Sequence, residues 1–153
     1  EEYSRRAIAT VTTHDLPTLR GYWEGRDIEL RDRLQLFPGE EIRLRVVEER
    51  VHDRAQLLAA LEDSGLRPEH RDASAASCDA ALARAIHVYL AKSAAALVVL
   101  QIEDLLGMID PVNVPGTSHE HANWQRKVTA DVAVALGEEG TLRLFTDVQR
   151  ARS

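Results

Sequence analysis

The stretch AAALVVLQIED (Ala94–Asp104) is apolar at every position from Ala94 to Leu100 and then ends in two carboxylates. A half-buried strand alternates polar and apolar residues. A run without alternation is what a strand covered on both faces looks like, as in a parallel sheet overlaid by helices. A second segment, RAIATVTT (Arg6–Thr13), is β-branched and small, and it too runs into an acid at THD, where Asp15 follows His14. Two such strands point to an α/β chain, and what separates them reads as helix.

Pro17 suits the first turn of a short helix over LPTLRGYW, weakened by Gly21 and Gly25. Asp27 is placed to cap a second helix, IELRDRLQL. After the break FPGE, apolar residues recur at Leu44, Val47, Val51, Ala55, Leu58 and Leu61, the period of a long amphipathic helix with its charges outward. The alternation in IRLRV (Ile42–Val46) taken alone suggests a strand, but the helical period continues well beyond it. Gly65 and Pro68 stop the helix.

RPEHRDASAAS reads as a polar connector, and Ser77 as the cap of a helix with Ala81/Leu82, Ala85/Ile86 and Tyr89/Leu90 inward. Beyond the second strand, LLGMIDPVNVPGTSHEHAN lacks any period. A loop of that length in a compact domain is usually functional or disordered. Asn123 is expected to cap a helix through WQRKVTADVAVAL that Gly137 ends, and GTLRLFTDVQRARS to form the last helix.

Composition narrows the classes. The net charge is −6, and only two of the 19 basic residues are lysines; the arginines are scattered beside acids, which describes a salt-bridged surface and not a nucleic-acid-binding stripe. The single cysteine, Cys78, excludes an internal disulfide framework, fits a reducing cytoplasm and reads as a packing residue. No apolar run approaches the ~20 residues of a membrane span. EEYSRRAIA carries no signal-peptide pattern and no initiating methionine, so the sequence reads as part of something larger.

In a (β/α)8 barrel, catalytic residues sit at the C-terminal strand ends and on the loops that follow. Asp15, Glu103 and Asp104 occupy such ends. With Asn113, Glu120 and the histidines of the long loop, they are equipment for handling sugars, where carboxylates act as nucleophile, acid or stabiliser of an oxocarbenium-like transition state. Trp23 or Trp124 can stack on a sugar face. Each has a plainer reading: Asp15 as a helix cap, Glu103 and Asp104 as caps or arginine partners, Trp23 and Tyr22 as core, His87 as a structural histidine. HEH (His119–His121) invites a metal, but no third ligand has recognisable spacing, so a solvated loop is expected and neither metal nor cofactor is assigned.

ATVTTHDLPTLRGYWEGRD, LVVLQIEDLLG and PVNVPGTSHEHANWQRK together resemble consecutive signatures of the amylomaltases, the bacterial 4-α-glucanotransferases of the α-amylase clan. The helix segment RAQLLAALEDSGL resembles the same region, and the likeness runs over essentially the whole chain.

The resemblance implies that residues 1–153 are one segment, the C-terminal part of a (β/α)8 barrel, from an enzyme that passes α-1,4-glucan segments between maltodextrins by a retaining mechanism. It makes Asp15 the transition-state-stabilising carboxylate and His14 a ligand of the sugar beside the cleaved bond. It places Asn113, Pro115 and Gly116 near the cleft, and leaves Glu103 and Asp104 to support the barrel end.

The family's nucleophile aspartate and acid/base glutamate match nothing here. A whole barrel also takes about 250 residues. The isolated chain is therefore expected to be inactive and, with strand edges and helix faces uncovered, to self-associate. The alternatives are a helical module that binds glucan or a partner without chemistry, and part of a hydrolase of the same clan.

Overall fold

The two apolar segments pair. The computed structural model describes residues 4–69 and 76–153. In it, β1 (Ile8–Thr10) and β2 (Leu97–Val99) form a two-stranded parallel sheet, with Ile8 opposite Leu97, Ala9 opposite Val98 and Thr10 opposite Val99. Successive residues face opposite sides. Ala9 is buried, and α4 (Ala80–Ala91) contacts β1. On the other face Ile8, Leu97 and Val99 remain 63%, 58% and 46% exposed. The expectation of strands buried on both faces is thus corrected: among the described residues only one side of the sheet is covered.

Helix α1 (Leu19–Glu24) begins at Thr18, whose Oγ1 accepts a hydrogen bond from the Gly21 amide at 3.0 Å. Pro17 therefore precedes the cap and does not sit in the first turn, and Asp15 is no cap at all. Gly25, at φ +76°, ends α1 and opens α2 (Arg26–Arg33) in a left-handed conformation that suits glycine. Asp27, expected to cap, lies inside the first turn of α2 instead.

The long helix forms as its period required: α3 spans Glu40–Asp63, IRLRV included. Its inner stripe divides. Leu58 and Leu61 join Leu19, Trp23, Cys78, Leu82, Ala85 and Ile86 in the core, whereas Leu44, Val47, Val51 and Ala55, expected in the same stripe, are exposed among the described residues. The charges are not all outside either. Arg50 is buried, grips both oxygens of Asp27 at 2.8 Å and lies 3.5 Å over the Tyr22 ring. Burial works against its charge, but the hydrogen bonds and charge of Asp27 outweigh that and hold Arg50 above its ordinary pKa.

Part of the expected connector, residues 70–75, lies outside the described residues. Asp79, not Ser77, caps α4, accepting from the Leu82 amide at 2.9 Å. The buried face of α4 includes Leu82, Ala85 and Ile86 as expected, but Ala81 and Tyr89 are exposed, while His87, Val88 and Ala91 are buried. The reason is a second neighbour: α4 packs against α7 (Glu139–Ala151) as well as the sheet.

After β2 comes the short α5 (Ile102–Leu105), then irregular chain. Asn123 does not cap a helix through WQRKVTADVAVAL. Trp124 takes φ +62°, which breaks any helix there, and α6 (Val132–Gly137) starts only where Asp131 accepts from the Ala133 and Val134 amides. Among the described residues, no helix is long and apolar enough to cross a membrane.

Candidate active site

The residues after β1 form a tight turn. The Leu16 amide donates to the Thr13 carbonyl at 3.0 Å, which leaves His14 and Asp15 at the centre of a β-turn. Their side chains are 57% and 52% exposed, with His14 Nε2 3.3 Å from Asp15 Oδ2. Asn113 Nδ2, from the loop after β2, donates to Asp15 Oδ1 at 2.7 Å. Three residues singled out in the sequence therefore meet, with Asn113 hydrogen-bonded to the Asp15 carboxylate and His14 beside it.

The long loop is built to present Asn113. The Val114 amide donates to Asn123 Oδ1 at 2.9 Å, Asn123 Nδ2 donates to Thr117 Oγ1 at 2.8 Å, and Thr117 Oγ1 donates to the Val114 carbonyl at 2.7 Å. Gly116 supplies the left-handed turn at φ +90°. The Trp124 amide donates to the Val112 carbonyl at 3.1 Å, and its ring lies 5.1 Å from that of His14, tilted by 47°. Trp124 is 62% exposed and Trp23 fully buried, so only Trp124 offers a face to a ligand. Asn123, read in the sequence as a helix cap, is the loop's staple; an asparagine makes the same side-chain-to-backbone bonds in either setting.

Asp15, Pro17, Leu30, Arg31, Asn113 and Pro115 border a groove of about 270 Å³. Gly116 shapes the loop without bordering it. A larger groove of about 620 Å³, edged by Arg20, Cys78 and Arg84, includes none of the residues from Thr12 to Thr18.

The acids at the end of β2 part company. Glu103 is half-buried beside Thr12, Thr13 and Leu16. Asp104 is buried: its Oδ1 accepts from the Leu19 amide at 2.7 Å, and its Oδ2 accepts a short hydrogen bond from Thr12 Oγ1. Gln101 Nε2 donates to the Thr12 carbonyl at 3.1 Å. Neither Thr12 nor Gln101 stood out in the sequence, since threonine in a strand and glutamine near its end are unremarkable there. His87 is buried in α4 and donates from Nδ1 to the Ala83 carbonyl, an acceptor only, at 2.7 Å.

In HEH, the Glu120 carboxylate accepts from the Ser118 and His119 amides at 2.7 and 3.0 Å. Backbone hydrogen bonds from Ser118, from Glu120 itself and from His119 hold its carboxyl below the usual carboxylate range. No group of three or more His, Cys, Asp or Glu among the described residues could hold a metal ion. Cys78 lies in the core.

Residues 1–132 match the model of the 4-alpha-glucanotransferase family. The chain is 34% identical to the 4-alpha-glucanotransferase of Haemophilus influenzae over 99% of its own length, and 29% identical to that of Mycobacterium tuberculosis over 97%. It spans about a fifth of these relatives, 22% and 19% of their respective lengths. Its fold matches the crystal structure of amylomaltase from Corynebacterium glutamicum with a TM-score of 0.77 at 27% identity, covering 99% of this chain and 22% of that one. With the family model covering residues 1–132, most of the chain, the chain belongs to the 4-alpha-glucanotransferase family.

Proposed function

We propose that these residues form part of a 4-alpha-glucanotransferase that moves α-1,4-glucan segments between maltodextrins with retention, and that Asp15 is the carboxylate facing the developing positive charge. The observation that carries this is the position of Asp15: exposed, after a strand, and held through one oxygen by Asn113, with His14 beside the other. A carboxylate already oriented by hydrogen bonds stabilises an oxocarbenium-like transition state without reorganising when the charge appears. Its second oxygen and His14 are available to sugar hydroxyls, and Trp124 offers an apolar ring beside them. Asn113 and Pro115 border the cleft, and Gly116 gives their loop its bend.

The nucleophile aspartate and the acid/base glutamate lie outside these residues. A retaining mechanism needs that pair roughly 5–5.5 Å apart, so the 153 residues alone do not turn over substrate. The parallel pairing of β1 with β2, and a sheet face left bare at Ile8, Leu97 and Val99, support their place as neighbouring strands of a (β/α)8 barrel whose interior is that face. In isolation the same face promotes self-association. The buried single cysteine fits a cytoplasmic enzyme, and no cofactor is needed for this chemistry.

Incubation with maltotriose tests the reading. The full-length enzyme is expected to yield both longer and shorter glucans, and Asp15→Asn to lose most turnover with the fold retained. Near-normal turnover in Asp15→Asn refutes the assignment. Glucose release without chain redistribution replaces transfer by hydrolysis, and disproportionation by the 153 residues alone overturns the claim that essential groups lie elsewhere.

A further inference from the structure

One carboxylate touches both ends of the turn that carries His14 and Asp15. Thr12, just before the turn, donates its hydroxyl to Asp104 Oδ2; the Leu19 amide, just after it, donates to Asp104 Oδ1 at 2.7 Å. Thr18 Oγ1 adds a bond to the Ile109 carbonyl at 2.8 Å, so the far end of the turn is tied to the chain following α5 as well. The segment from Thr13 to Thr18 is thus fixed at its two roots by a group that is itself buried.

The Asp104 side chain has a further neighbour. His87 Nδ1 carries a hydrogen, because its partner, the Ala83 carbonyl, only accepts. That leaves Nε2, buried and without a hydrogen-bond partner, 4.0 Å from Asp104 Oδ2. Both side chains are at most 2% exposed. That nitrogen faces the carboxylate that roots the turn.

We propose that Asp104 is the positioning residue for the His14–Asp15 turn, clamping it through Thr12 and the Leu19 amide. The inference deepens the reading of Asp15 as the transition-state carboxylate and rests on it. Asp104 touches no substrate. It acts by fixing where Asp15 stands, and misplacing a reacting group by about 1 Å can cost roughly 10²-fold in rate.

The test uses the full-length enzyme, maltotriose as substrate, and hydrogen exchange over residues 13–19. Asp104→Ala removes both bonds. Thr12→Val removes one without changing shape, and serves if the first variant does not fold. Both are expected to lower kcat by roughly 10- to 10²-fold, with a smaller change in KM, since the lost contribution is made in the transition state. In Thr12→Val, exchange across the turn should quicken roughly tenfold, more than that of the core peptides.

Unchanged kcat and exchange in folded Thr12→Val or Asp104→Ala overturn the clamp. Faster exchange in Thr12→Val alongside a fully active Asp15→Asn overturns the catalytic reading and leaves the clamp as a device of the fold alone.

Discussion

Asp15 and Asp104 look alike in sequence: each follows closely on an apolar, strand-like run. In the folded chain they are opposites. The Asp15 side chain is 52% exposed and held by two other exposed or half-buried groups, whereas that of Asp104 is 1% exposed with its oxygens turned to a backbone amide, a hydroxyl and a histidine. The difference teaches that a strand-end carboxylate is assigned by what its oxygens already do. One whose hydrogen-bonding capacity is filled by the protein builds the site. One with an oxygen to spare can serve a ligand.

That contrast can be broken by experiment. The largest effect is expected from exchanging the two residues' fates in stability measurements. Asp104→Ala strands the Leu19 amide and the Thr12 hydroxyl and should cost about 2–5 kcal/mol in denaturant unfolding, while Asp15→Ala should stay within about 0.5 kcal/mol. Equal losses would erase the distinction between builder and ligand group.

A second effect, smaller, sits on the same junction. Gly21 packs so closely on the chain after α5 that a β-carbon there would overlap the Ile109 carbonyl oxygen. Helix propensity alone predicts that Gly21→Ala gains roughly 0.5–1 kcal/mol. The overlap should win, with a net loss of about 1–3 kcal/mol in the same assay. A stabilised Gly21→Ala would mean that the clamp tolerates slack.

The smallest effect belongs to a third carboxylate, Glu120, which is exposed yet filled by backbone amides. Its pKa is lowered in the folded chain, so its contribution to the order of the loop is present above the unfolded value and vanishes as pH falls through the folded one. Amide exchange at Ser118 and His119 should therefore quicken, relative to the intrinsic rate, on acidification below about pH 4. Protection there that is independent of pH, or unchanged in Glu120→Gln at neutral pH, would detach the carboxylate from the loop.

The strands and long helices were legible because each rests on a pattern many residues long: the run from Ala94 to Leu100, the period from Leu44 to Leu61. Parallel pairing followed from the eighty or so mostly helical residues between the strands. What was misread depends on neighbours that no local pattern names. Leu44, Val47 and Val51 have the spacing of a buried stripe, but spacing does not say whether anything lies over them. Asn123 and Asp131 are equally good caps by residue type, and only the left-handed turn at Trp124 decides between them. The His14–Asp15 turn was visible as a likeness to known enzymes. The residues that root it, Thr12 and Gln101, were not, because their partners lie about ninety residues away in sequence.

That separation has a kinetic consequence. The hydrogen bonds that define the site span 98 residues from Asp15 to Asn113, 92 from Thr12 to Asp104 and 85 from Leu19 to Asp104. Closing such loops costs chain entropy before any of these bonds can form, whereas α3 and α4 are made of contacts a single turn apart. Helices come first and the turn is pinned last. On a chain emerging from the ribosome, Asp15 stays loose until residue 113 is free to reach it, and substitutions in the clamp act mainly on how fast the folded site opens, with little effect on how fast it is reached.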